Sequence, residues 1–140
     1  MSPQAVLLPL LVQVTMTFAI GFWMAGLRVS AVRSRAVHPR DIALREPNWP
    51  PRILQIQNAF HNQLEMPVLF YVLTILALFT KLADLAFVLL AWLFVALRVL
   101  HAYVHVTTNN VPRRSRWFLA SCAVIAVMWL IFAIRLLLVW

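Results

Sequence analysis

Acidic residues are nearly absent from this chain: four Asp and Glu stand against twelve Lys and Arg, and charged residues of both signs make up only 11% of the sequence. A soluble domain of 140 residues needs a polar coat, and this composition, with 64% hydrophobic residues, excludes one. Glycine is scarcer still: its two residues, Gly21 and Gly26, lie five apart near the inner end of the first apolar run and are only a weak signal for close helix approach. A single cysteine, Cys122, excludes an intrachain disulfide, and its place inside an apolar run reads as a small packing residue. The first four residues carry no basic side chain, and the apolar stretch after them is too long for a signal-peptide core. The first helix is therefore expected to remain in the mature protein.

Long apolar runs fill the rest. Four of them, about Ala5–Leu27, Gln63–Thr80, Leu85–Tyr103 and Trp117–Val139, reach the length of a membrane crossing. They are continuously apolar, which fits helices and not the alternating strands of a barrel. The fold class is thus an all-α integral membrane protein: one domain, residues 1–140, a bundle of four transmembrane helices at about 5–28, 52–80, 84–108 and 115–139. Arginine crowds two links. Arg28, Arg33, Arg35, Arg40, Arg45 and Arg52 lie between helices one and two, and Arg113, Arg114 and Arg116 between helices three and four. Only Lys81 and Asp84 lie between two and three. The positive-inside rule makes the arginine-rich links cytoplasmic and both termini non-cytoplasmic. That placement argues against nucleic acid and for topology signals and lipid headgroup contacts.

The first link contains Pro39, Pro47, Pro50 and Pro51, which forbid a continuous helix; Asp41 is expected to cap one short turn. Pro67 lies inside helix two and predicts a kink. The short link near Lys81–Asp84 makes helices two and three antiparallel neighbours.

Each of those helices has one polar stripe. Gln55, Asn58, Asn62 and Glu65 share a face of helix two; Arg98, His101, His105 and Thr108 share a face of helix three. A turn near Lys81–Leu82 sets Glu65 level with Arg98, Asn62 with His101 and Asn58 with His105. An ion pair between Glu65 and Arg98 is expected, because a lone carboxylate is costly roughly 20 Å along the helix from Arg52. The plainest account is a polar zipper between two helices. The excess of polar groups, open toward the arginine-rich end, fits a cavity for a polar, anionic ligand better. His101 and His105, four apart, also have the spacing of a two-histidine metal or haem site with Glu65 or His61 as a further ligand, although Arg98 on the same face repels a cation.

The run Asn62-Gln63-Leu64-Glu65-Met66-Pro67 resembles the Asn-x-x-Glu pair and following proline on the second helix of the MAPEG family, the membrane-associated proteins in eicosanoid and glutathione metabolism. Arg98-Val99-Leu100-His101 and His105, then Pro112-Arg113-Arg114-Ser115, resemble the Arg-x-x-His-x-x-x-Tyr and Pro…Arg-Ser elements of its prostaglandin synthase branch. The resemblance is most specific over Arg52–Arg116 and implies a homotrimer. Glutathione would sit between neighbouring subunits near the cytoplasmic side, and a lipophilic substrate would enter from the bilayer. It further implies that Arg114 and Ser115 stabilise the glutathione thiolate, that Asn62, Glu65 and His101 hold the peptide, and that Asn58, His61, Arg98 and His105 line the same site. There are departures. Several family enzymes have arginine where Asn58 stands, the prostaglandin synthase has arginine at the position of His61, and His105 replaces the tyrosine. These departures suggest a divergent, bacterial-type branch in the inner membrane. The function implied is a glutathione-dependent transferase, peroxidase or isomerase; a non-catalytic membrane scaffold or lipid-binding protein of the same fold is the alternative.

Overall fold

The computed structural model describes residues 1–139, and among them every regular element is helical. In chain order they are α1 (Pro3–Arg33), a single 3-10 turn (Pro39–Asp41), α2 (Pro51–Gln63), α3 (Met66–Phe79), α4 (Leu85–Val106) and α5 (Val111–Val139). Four segments are long and apolar enough to cross a membrane: α1, α2 with α3, α4, and α5. The shortest, α4, has 22 residues, roughly 33 Å of helix against a hydrocarbon core of about 30 Å.

Local chemistry sets the ends. Ser2 accepts from the Ala5 amide at 3.3 Å and Asp84 from the Phe87 amide at 2.9 Å, each capping the helix that follows. Asn110 does the same for α5 through the Arg113 amide at 3.0 Å, so α5 starts four residues before the expected Ser115. The turn in the first link is capped by His38, which accepts from the Arg40 amide, and Asp41 is its last residue; the expectation that Asp41 caps it is corrected.

The expected kink in helix two is a full break. Pro67 has no N–H to give the Gln63 carbonyl, and its ring excludes that oxygen. The chain leaves helical geometry at Leu64 and Glu65, where Glu65 has ψ −104°, and restarts as α3 with Pro67 in its first turn.

Helix α4 is the central strut. Half of its most apolar window is buried, against 17% for α5, so α5 lies at the edge of the bundle. One core cluster joins Val6, Phe70, Leu73, Phe94, Ile125 and Met128, with the Phe70 and Phe94 rings 4.8 Å apart. A second joins Ile20, Ile56, Ala59 and Ala102, and a third Ala31, Val37 and Ile53. At one end Arg52 donates to the Val106 carbonyl at 2.6 Å, and Gln55 to the His105 and Thr107 carbonyls at 2.9 and 3.0 Å. These bonds satisfy the orphan carbonyls that end α4. They also place both arginine-rich links at the same end of the bundle. At the other end Arg135 of α5 pairs with Asp84 at 2.7 Å.

Candidate functional site

Arg98 has no exposed surface. It donates to two oxygens of Asn62, the backbone carbonyl at 3.0 Å and the side-chain Oδ1, while its Nε and Nη1 have no partner. The guanidinium lies 5.9 Å from the centre of the Phe118 ring. Glu65 does not pair with it. The ion pairs among the described residues are Arg40–Asp41 and Arg135–Asp84, and Glu65 is exposed on the outside of the chain. The expected Glu65–Arg98 pair is therefore overturned. Its derivation assumed an unbroken helix. The break at Leu64–Glu65 turns the carboxylate away and brings Asn62, about one helical turn earlier, to the arginine. The same shift sets Gln55, not Asn58, against the end of α4 at His105.

Asn62, His101, Arg114, Ser115 and Phe118 line a cleft of about 160 Å³ between α2, α4 and α5. His101 is 2% exposed, and its Nδ1 lies 3.0 Å from the Arg114 carbonyl. A carbonyl only accepts, so Nδ1 carries the hydrogen and Nε2 is left as an acceptor, without a partner. Arg114 is half-buried and donates to Asn109 Oδ1. Asn109 sits in the left-handed region at φ 51°, a conformation asparagine tolerates better than most residues, and this aims its amide at the arginine. Arg114 lines the cleft, Arg98 lies behind Asn62, and among the described residues no carboxylate lines the cleft. Such a site attracts an anion, and its donors suit a carboxylate or a thiolate.

The structure brings together four of the expected site residues in this cleft, with Arg98 behind Asn62. It leaves the others apart. Asn58, His61 and Glu65 are exposed along the outer side of α2 and its end. His105 is 5% exposed, with its ring 5.5 Å from His101 in edge contact, and forms a layer behind the cleft. Among the described residues no three His, Cys, Asp or Glu are grouped to hold a metal ion.

Phe118 was missed in the sequence. Its ring is 5.6 Å from that of His101, and its place three and four residues after Ser115 and Arg114 on a helix was the available signal. Gln13 was missed too. It is fully buried in α1 and donates to Gln63 Oε1 at 2.9 Å, an amide pair inside the span. A glutamine alone in the first apolar run was the clue.

The model of the MAPEG family matches residues 6–134 of the chain. No curated relative and no solved structure matches it.

Proposed function

Because the chain belongs to the MAPEG family, we propose that it is a glutathione-dependent membrane enzyme, of transferase, peroxidase or isomerase type, acting on a lipophilic electrophile. The observation that carries the reading is the cationic cleft in which Asn62, His101, Arg114 and Ser115 meet. Reduced glutathione has carboxylates for the Arg114 guanidinium and a thiol that can lie beside Arg114 and Ser115. A free thiol of this kind has a pKa of roughly 8.5. The Arg114 charge and the Ser115 hydroxyl lower it by favouring the thiolate, which is the attacking species. The electrophile arrives from the bilayer. An apolar groove of about 440 Å³ along α1 and α2, lined by Phe18, Gly21, Phe22, Phe60 and Leu64, offers a lipophilic molecule a separate place on the bundle.

The assembly is a homotrimer in which a neighbour covers the outer side of α2, adding Asn58, His61 and Glu65 to the ligand's surroundings. The arginine-rich end faces the cytoplasm, where glutathione is abundant. A reporter fused after Trp140 that is active only in the cytoplasm would refute this orientation.

A second reading is a scaffold or lipid binder that keeps the fold without the reaction. Asn58, His61 and His105 favour it, since they stand where resembling enzymes carry arginine or tyrosine. Thermal unfolding of detergent-purified protein with millimolar reduced glutathione separates the two. A rise in melting temperature is expected, because a ligand that binds only the folded state stabilises it by mass action. No shift, and no heat in calorimetry, would favour the scaffold.

A further inference from the structure

Helix α1 ends in a geometry that calls for glycine and holds arginine. The Ala36 amide bonds the Ala31 carbonyl at 3.0 Å and the Arg35 amide bonds the Val32 carbonyl at 3.1 Å, closing the helix with Arg35 at φ 59°. This position is most often glycine, because a side chain there crowds its own backbone. Arg35 therefore carries a conformational cost at the point where its side chain meets a pocket. That pocket, about 460 Å³, is lined by Val32, Arg35, Val37, His38 and Pro39.

The pocket is built rather than incidental. Val37 is 6% exposed and packs with Ala31 and Ile53, pinning the link against the bundle. Trp49 packs against the same cluster and lies 5.0 Å from the Arg28 guanidinium, which also donates to Gln57. His38 Nδ1 accepts from the Arg40 amide at 3.4 Å, so the ring hydrogen is on Nε2 and is free to donate. The acids of this link are engaged elsewhere: Asp41 lies 3.8 Å from Arg40, and Glu46 accepts from the Leu44 amide at 2.9 Å. One side of the pocket thus offers a guanidinium and an N–H donor, and the other offers Val32, Val37 and Pro39. It stands at the end of a membrane-spanning helix, at headgroup level, in a link where six arginines between Arg28 and Arg52 outnumber two acids.

We propose that this pocket is a binding site for an anionic phospholipid: Arg35 and His38 hold the headgroup phosphate, and the three apolar side chains pack on the glycerol and the first acyl carbons. A phosphate beside a guanidinium at the edge of the bilayer gains a charge-assisted contact that a zwitterionic headgroup satisfies poorly. The cost of an arginine at a glycine position is then offset by the lipid.

The test uses the full chain in nanodiscs of phosphatidylcholine alone or mixed with phosphatidylglycerol, read by thermal unfolding. Lys81 provides the control. It ends α3 in the same way, at φ 59° with the Leu82 amide on the Ala77 carbonyl at 3.0 Å, but lies at the opposite end of the bundle. The wild type should unfold several degrees higher with phosphatidylglycerol. Arg35→Gly relieves the backbone, so it should unfold above the wild type in phosphatidylcholine alone yet lose more than half of the phosphatidylglycerol increment. Lys81→Gly should keep the increment whole. An increment retained in Arg35→Gly, or lost equally in Lys81→Gly, would overturn the site, as would no increment in the wild type. The same stabilisation from inorganic phosphate in phosphatidylcholine discs would show a bare anion site and overturn the lipid.

Discussion

A buried guanidinium needs acceptors, and Arg98 takes two from one residue, Asn62. The consequence is an asymmetry between the partners. Asn62→Leu leaves the charge in place with one acceptor fewer, and should cost about 1.5–3 kcal/mol, the range for hydrogen bonds to charged groups. Arg98→Leu removes the charge together with its need for acceptors, leaving a half-buried Asn62 that the cleft can hydrate. It should cost less. Unfolding free energies of both variants in the same micelle decide this, and a greater loss in Arg98→Leu would contradict it. Arg114 differs, because its charge is proposed to act mainly as the thiolate develops. Arg114→Ala should reduce turnover by about 10²–10³-fold, with a smaller loss of glutathione affinity; steady-state kinetics beside calorimetry would measure both. At this scale the sequence was legible where polar residues recurred at helical spacing or matched the family's motifs. Asn62, His101, Arg114 and Ser115 converge as spacing and resemblance suggested. Phe118 was legible only through its spacing from Arg114 and Ser115, because an aromatic on an apolar helix otherwise looks the same whether it faces lipid or a cleft. Arg135 was lost for a similar reason, hidden near the end of the last apolar run, although it makes an ion pair between helices with Asp84.

Elements were easier to read than their register. Four spans follow from length and hydropathy, and Pro67 announced a disturbance in helix two. How many residues a break absorbs depends on packing on both sides of it, so depth counted from the Lys81–Asp84 turn failed beyond Glu65. Helix contacts give two further tests. A methyl group on Gly21 would sit 2.8 Å from the Phe60 ring, whereas one on Gly26 meets nothing within 4 Å. Gly26→Ala should stabilise α1 by roughly 0.5–1 kcal/mol through helix propensity. Gly21→Ala should fall short of that variant by about 1–3 kcal/mol, because α1 or Phe60 must shift. Equal melting temperatures would contradict the close approach. The start of α4 adds a pH dependence. The Phe87 amide holds the Asp84 carboxyl below its ordinary value of 3.8; burial opposes it less strongly, and the Arg135 guanidinium adds further, smaller lowering. A carboxyl depressed in the folded state contributes stability that is whole above its unfolded value and is lost as the pH falls through the folded one. Stability should therefore fall below about pH 4 in the wild type. Asp84→Asn keeps a capping oxygen but cannot ionise, so its unfolding midpoint should change less across that window.

At the scale of the whole molecule, one group remains unexplained within a single chain. Glu65 is exposed at the break between α2 and α3, inside a segment apolar enough to span the membrane, and it lies outside both ion pairs of the described residues. Hydrocarbon does not solvate a carboxylate, so an ionisable residue at such a position is expected to face protein or a water-filled cavity. The chain itself offers Arg98, but that guanidinium is buried against Asn62, and the break at Leu64–Glu65 leaves the carboxylate outside ion-pair distance. Asn58 and His61 are exposed just before Glu65, so a run of polar groups covers the outer side of one helix. In the proposed homotrimer a neighbouring copy, with ligand between, would supply what this side lacks, and a closed ring of subunits would repeat the contact without leaving a polar edge to lipid. Native mass measurement in mild detergent should give three subunits. Glu65→Leu should hold the subunits together at least as well, since it removes the carboxylate's desolvation cost, while weakening glutathione binding. Glu65→Lys should dissociate them, because it brings a third cation to a surface already close to Arg98 and Arg114. A wild type that stays monomeric in every mild detergent, or a Glu65→Lys variant as firmly assembled as the wild type, would mean that the outer side of α2 faces something other than a second copy of this chain.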